Sequence, residues 1–350
     1  MTVTLQFSRE DRLLVLAPHP DDETLAAGEL IQCAAAAGAA LRVVFATDGD
    51  NNPWPQRWLE RRWRIGAAER ARWGRRRRSE ANAALAVLGA GEGDARFLGW
   101  PDQGLTDGLM DGDAAVAALA AEIAAFAPSH VVAPALGDRH PDHSALRVMA
   151  DAALLRAGSA SLRLGYVVHG DEAPAAAGPA PDAARRRRKL EAMRAHASQI
   201  ALSGRRLLDL AGRPERFELA EAAPPERGEE SGVLRLPYRH AARRAHELLL
   251  VLATPKETLR FRAPLPPLAR RGASARLADA QGREAAVERV GDALHVRLPW
   301  GARPGAVYAK LHRSGARLVV FDRDGWHDAR DLLPGRSSAG MRQPTAGFVV

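Results

Sequence analysis

A histidine and three acids interrupt an apolar stretch in LLVLAPHPDDETLAAGELI (13–31), at His19, Asp21, Asp22 and Glu23. A second cluster, His140, Asp142 and His143, stands in GDRHPDHSA far downstream. Two histidines and a carboxylate can hold a divalent metal and leave positions open for water and substrate, as in catalytic zinc sites. A further carboxylate beside such a site can take a proton from water. A histidine outside the metal shell can steady an oxyanion. Either cluster alone has a plainer reading, because an acid at a helix start caps free N–H groups and offsets the helix dipole. Two His-Pro-Asp clusters in equivalent settings favour the metal.

Those settings follow from the elements around them. RLLVLAP (12–18) is an apolar run of strand length, and helical periodicity begins near Thr24. ALRVVFATDGD (40–50), the run through SHVVAPALGDRHPDHSALRVMADAAL, and LRLGYVVHGDE (162–172) repeat the pattern of strand, polar loop and, in places, helix. Strands alternating with alanine-rich helices such as 113–127 predict an α/β fold: a Rossmann-like, mostly parallel sheet with helices on both faces. Ligands of such sheets sit outside the carboxyl ends of the strands, where both clusters fall. After about residue 222 the texture changes. AAPPERGEESG reads as a linker, and the short runs beyond it (ELLLVLA, TLRFRA, ALHVRLP, AVYAKLH, RLVVFD) predict a C-terminal β-rich domain. The expected division is therefore 1–222 and 233–350, with 335–350 a tail or edge segment.

The composition, 46% hydrophobic and 26% charged, is that of an ordinary globular protein, with no run long enough to span a membrane and no secretory leader pattern. The one cysteine, Cys33, cannot form an internal disulfide, and a cytoplasmic protein is expected. A net charge of +8 invites a nucleic-acid reading. Only Lys189, Lys256 and Lys310 are lysines, however, and the arginine runs 75–78 and 185–188 lead into helix-like segments with no interleaved aromatic platform. No nucleic-acid partner is expected; a homo-oligomer is left open.

PHPDDE followed by HPDH resembles the LmbE-like, PIG-L superfamily of zinc-dependent N-acetylglucosaminyl deacetylases. ATDGD, RRSEANAALAVLG with Arg77 and Glu80, FLGWPDQGL (97–105) and the Ser198-Gln199 pair extend the resemblance across roughly residues 10–220. It implies that His19, Asp22 and His143 bind Zn2+, with Fe2+ or another divalent ion fitting the same donors. Asp21 would be the general base, His140 would face the oxyanion, and Asp142 would orient His140 and keep it protonated. Arg77 and Asp102 would contact sugar hydroxyls. The implied reaction is hydrolysis of the acetamide of an N-acetylated amino sugar or glycoconjugate by metal-activated water. An amidase of the same superfamily cleaving a larger acyl or conjugate group is the alternative. Gly137-Asp138-Arg139 departs from the Gly-Tyr-Gly typical of mycothiol-pathway members and argues against that role.

Other residues have competing readings. Glu23 reads as first-turn helix charge or support behind the metal shell. Asp48 is a candidate partner for a metal-bound histidine. His169 is a candidate to line a sugar pocket, and Trp54, Trp63, Trp73 and Trp100 either stack on sugars or pack the core. The remaining histidines (130, 196, 240, 246, 295, 312, 327) show no ligand spacing, and FDRDGWHD (321–328) reads as a hairpin rather than a calcium loop. Non-haem iron oxygenases share the ligand set, but usually on antiparallel barrels. A binding protein with a degenerate metal site is disfavoured by retention of all five core polar residues.

Overall fold

The computed structural model describes residues 2–91, 93–171, 176–220, 233–237, 247–265, 268, 271–297, 305–313, 321–322 and 325–329. Its first part runs β1 (Val3–Thr4), β2 (Arg12–Ala17), α1 (Asp22–Ala37), β3 (Ala40–Thr47), α2 (Pro53–Glu60), α3 (Ala67–Leu88), β4 (Ala95–Trp100), α4 (Leu105–Met110) and α5 (Ala114–Phe126). It continues through β5 (His130–Pro134), α6 (Pro141–Arg156), β6 (Leu162–Tyr166), β7 (Ala177–Gly178), α7 (Ala183–Ala195), α8 (Ala197–Ala211) and β8 (Glu218–Ala220).

The main sheet has the order β4-β3-β2-β5-β6-β8, parallel except for the antiparallel edge strand β8. The chain builds outward from β2 through β3 to β4, then returns to the other side of β2 with β5 and β6. That reversal opens a crevice between the carboxyl ends of β2 and β5, the usual ligand position in open α/β sheets. Leu13, Leu14, Val15 and Leu16 of β2 are all fully buried, as a central parallel strand covered on both faces requires. Leu14 and Leu16 join one core with α4, α5 and α6; Leu13 and Val15 join another with α1 and α3. The predicted 113–127 helix is α5, whose Val116, Leu119, Ala120, Ile123 and Phe126 form the buried stripe.

The β-rich region expected after 233 is an eight-stranded antiparallel sheet. It comprises β9 (Val233–Pro237), β10 (Glu247–Ala253), β11 (Thr258–Pro264), β12 (Ser274–Ala278), β13 (Glu284–Val290), β14 (Ala293–Arg297), β15 (Ala306–His312) and β16 (His327–Asp328). Its order is β16-β15-β10-β11-β12-β13-β14-β9. In β10 alternate residues serve two cores: Leu248, Leu250 and Leu252 face the sheet's own interior, and Leu249, Val251 and Ala253 join the core of α4, α5 and α6. Tyr308 and Trp326 enter that shared core as well. Helix α6 is therefore buried along nearly its whole length, and the Tyr308 hydroxyl donates to Asp151 Oδ2 at 2.6 Å. The expected linker and the 335–350 tail lie outside the described residues. Of FDRDGWHD, His327 and Asp328 pair antiparallel with β15, and Asp322 accepts from Lys310. No helix among the described residues is long and apolar enough to cross a membrane.

Candidate metal centre

His19, Asp21 and Asp22 follow β2 directly, with Asp21 at the N-cap of α1. His140 is the N-cap of α6, Pro141 opens that helix, and Asp142 and His143 lie in its first turn. Because β2 and β5 are adjacent, two segments more than a hundred residues apart meet at one end of the sheet.

They meet at a single carboxylate oxygen. Asp22 Oδ2 accepts from the His19 backbone N–H at 3.0 Å, and lies 3.1 Å from His19 Nδ1 and 3.2 Å from His143 Nε2. His143 Nδ1 donates to Asp138 Oδ2 at 3.0 Å, which fixes the ring and aims Nε2 at Asp22. That nitrogen is fully enclosed and makes no hydrogen bond of acceptable geometry. Two electron-rich atoms so close require a proton or a cation between them. Burial works against charge on His143, yet Asp138 and Asp22 together push its pKa up to about 10. Burial likewise opposes ionisation of Asp22, but His143 and His19 hold its carboxyl well below the ordinary range. A divalent cation answers the same electrostatic demand that otherwise holds a proton there.

More acid converges on the site than three ligands need. His19 Nε2 lies 3.2 Å from Asp102 Oδ1 and 3.4 Å from Asp142 Oδ2. Among the described residues, three overlapping sets could each surround an ion: His19 with His140 and His143, Asp22 with His143 and His169, and His19 with Asp102 and Asp142. The donor chemistry, imidazole with carboxylate, suits zinc and comparable divalent metals.

Several expected roles change with the geometry. Asp142 does not turn its carboxylate to His140. Its oxygens accept from the backbone N–H groups of Gln103 (2.7 Å) and Leu105 (3.1 Å). What reaches His140 is the Asp142 backbone, whose N–H donates to His140 Nδ1 at 3.2 Å. The ring proton of His140 therefore sits on Nε2. Burial, followed by the neighbouring His19, His143 and His169, drives its pKa down to about 2. Neither the Asp142 contact nor these surroundings favour the protonated His140 expected from the sequence.

Arg77 is buried and its guanidinium is used on the protein. It donates to Gly49 O at 2.7 Å and to Pro20 O, and Nη2 lies 3.2 Å from Asp21 Oδ1. Asp102, also expected on sugar hydroxyls, accepts from Asn51 N–H at 2.6 Å and faces His19. Although burial raises its pKa, His19 and Asn51 draw it down to about 2. Asp48 makes a two-pronged pair with Arg78, both contacts 2.8 Å, and is not the histidine partner. That partner is Asp138, which also accepts from the backbone N–H groups of His140, Val168 and His169. In the sequence Asp138 is an acid in the loop just ahead of His143, the candidate ligand. His169 does reach the site, its ring centroid 5.0 Å from His143 and 5.7 Å from Phe321 of the C-terminal region. Trp73 is core, whereas Trp54 and Trp63 are exposed with the Arg57 guanidinium against both rings.

Gly49 shows how tightly the turn is built. It has φ +60°, and a Cβ there would stand 1.7 Å from Arg77 Nη1. Gly49→Ala is expected to cost about 1–3 kcal/mol in backbone strain alone, with displacement of Arg77 in addition. Thermal denaturation should show a clear drop in Tm; a Tm equal to the parent's would mean that Arg77 is not anchored as described.

A family profile described as GlcNAc-PI de-N-acetylase (PIG-L) matches residues 14–154. Curated relatives include 1D-myo-inositol 2-acetamido-2-deoxy-alpha-D-glucopyranoside deacetylases. The Mycobacterium avium protein is 39% identical over 148 residues, covering 38% of this chain and 47% of its own. The Rhodococcus jostii protein is 34% identical over 168 residues, covering 43% and 56%. The chain spans about half the length of the curated relatives it matches. Among solved structures, N,N'-diacetylchitobiose deacetylase from Pyrococcus horikoshii aligns with a TM-score of 0.48 at 19% identity, over 60% of this chain and 84% of that one. Residues 14–154 thus resemble a PIG-L/LmbE family domain. Within Gly137-Asp138-Arg139, Asp138 is the residue that anchors His143.

Proposed function

We propose that the protein, as the bearer of a PIG-L-type domain, is a divalent-metal-dependent hydrolase that deacetylates an N-acetylated amino sugar or its glycoconjugate. The observation that carries this reading is Asp22 Oδ2 set between His19 and His143, with a second carboxylate, Asp21, beside it on the same turn. The matched relatives are named for a 2-acetamido sugar joined to inositol, so that class is the first to test.

His19, Asp22 and His143 would hold the cation. When bound, such an ion supplies Lewis acidity toward the acetyl oxygen and eases ionisation of water. Asp21 takes a proton from the attacking water as its oxygen bonds to the acetyl carbon. His140 donates its Nε2–H to the oxyanion that develops on the former carbonyl oxygen; one such donor is typically worth about 2.7–4 kcal/mol. The C–N bond then breaks and the proton held by Asp21 passes to the amine nitrogen, releasing acetate and free amine. A neutral His140 has no second proton to give, so Asp21 is the proton's carrier in both directions. Asp142 anchors the ring of His140 through its backbone, and Arg77 holds Asp21 rather than the sugar. In the same reading, residues 1–222 are the hydrolytic unit, and the sheet from 233 onward braces α6, the helix that presents His143.

Burial raises the Asp21 pKa, Arg77 opposes the shift and Asp22 adds to it, placing the group at about 6. A base must be deprotonated to work, so kcat/KM should fall with unit slope as pH drops through an acid limb at or below about 6, a bound cation drawing it down from there. A profile that stays flat down to the pH at which the metal dissociates would remove Asp21 from the role. The direct test is acetate release by metal-loaded protein from N-acetylglucosaminyl-inositol, other N-acetyl amino sugars and N-acylated analogues. Acetate from the first two groups supports the proposal. Release only of longer acyl groups moves it to the amidase reading, and no release from any, with one metal bound per chain, overturns it.

A further inference from the structure

Two buried groups behind the site play no part in the chemistry above. Glu23 and His196 are both shut away from solvent, with His196 Nε2 3.0 Å from Glu23 Oε1. The Thr24 hydroxyl donates to the same oxygen at 2.6 Å. The other Glu23 oxygen accepts the backbone N–H of Asp21 at 2.9 Å. An imidazole at the junction of two late helices is thus joined, through one carboxylate, to the peptide group of the proposed base.

That peptide is unusual. Asp21 has φ 130° and ψ −26°, a region an L-residue with a side chain rarely occupies unless its surroundings impose it. Asp21 is also the N-cap residue of α1, where an aspartate ordinarily turns its carboxylate onto the free N–H groups of the first turn. Here the side chain makes no capping bond at all. Glu23, two residues into the turn, reaches back to the N-cap peptide instead. The carboxylate of Asp21 is left off the helix end, with Arg77 Nη2 3.2 Å from Oδ1.

The clamp closes on itself. His196 stands at the break between α7 and α8, a stretch whose sequence, KLEAMRAHASQI, reads as one continuous helix. Two residues on, Ser198 donates through its N–H (3.0 Å) and its hydroxyl (2.5 Å) to Glu80 of α3. The same helix carries Arg77, which holds Pro20 O and Asp21 from the other side. Helices α3 and α8, tied together by Glu80 and Ser198, therefore grip the turn on its carboxylate side and its amide side respectively.

We propose that His196 is a positioning residue: by donating to Glu23 it fixes the Asp21 peptide in its strained conformation and so keeps the Asp21 carboxylate from capping α1. The idea rests on Asp21 being the base, and it names the device that keeps that base free for proton transfer. Loss of the donor lets Asp21 relax into an ordinary N-cap.

The experiment compares His196→Leu, which removes the donor, with His196→Gln, whose side-chain amide can still donate to Glu23. For His196→Leu, kcat should fall about hundredfold, the usual effect of misplacing a reacting group by an ångström. KM and metal stoichiometry should stay at parental values, and His196→Gln should recover most of the loss. A crystal structure of His196→Leu should show Asp21 at negative φ with its carboxylate on the first turn of α1. Asp21 keeping positive φ in that variant, or His196→Gln being no better than His196→Leu, would overturn the proposal. If His196→Leu does not fold, His196→Asn, polar but too short to reach Glu23, is read in the same way. Should the parent protein hydrolyse nothing, the conformation of Asp21 in the variant still decides the clamp, so the two ideas fail separately.

Discussion

Asp21→Asn is expected to lower kcat for acetate release by about 10²–10⁴-fold, the usual worth of a positioned general base, while the protein keeps its metal. The amide matches the carboxylate in size, and Arg77 can still contact its oxygen, so the strained turn should survive. What disappears is the capacity to take a proton. Metal content after dialysis, measured beside single-turnover acetate release, separates the two properties. Retained metal with lost turnover identifies the base. Retained turnover would falsify the assignment, and loss of metal would mean that Asp21 rather than its neighbour is the ligand.

Asp22→Ala should produce the opposite pattern: loss of metal together with loss of turnover. Asp22 Oδ2 is the atom at which His19 and His143 converge, so its removal leaves two imidazoles with no shared anion. Asp138→Asn is the graded companion. It keeps the size of the group that fixes His143 but weakens its pull, and such outer partners typically cost about 10–100-fold in metal affinity or activity. Competition against a chelator of known affinity would order the three proteins as parent, Asp138→Asn, Asp22→Ala, from tightest to weakest. Equal affinity in the parent and Asp22→Ala would shift the metal to one of the two sets without Asp22, His19 with His140 and His143 or His19 with Asp102 and Asp142.

His196 illustrates how far sequence reading reaches. It shows no ligand spacing, so the sequence offers it no role. Its use became visible only when α8 was seen against α1, more than 170 residues away. The boundary between α7 and α8 is hidden from the sequence for a related reason: alanine and arginine favour helix on either side, and the break coincides with tertiary contacts of His196 and Ser198 rather than with a glycine or proline.

The sequence by itself determined the α/β class, the β-rich C-terminal region and the two polar clusters, 19–23 and 140–143, that meet at one end of the sheet; the family resemblance singled out the three residues that converge on one oxygen. These were legible because strand and helix periodicities are local, and because imidazole and carboxylate announce their chemistry wherever they stand at a strand end. Only the tertiary structure decided where each remaining charge is directed. Asp142 turns to the amides of Gln103 and Leu105, Arg77 to the carbonyls of Gly49 and Pro20, and Asp138 to His143. Each direction depends on which strands become neighbours when the sheet reverses at β2. A buried charge must take whatever partner the packing brings within reach, because leaving it unpaired costs far more than any local preference can return.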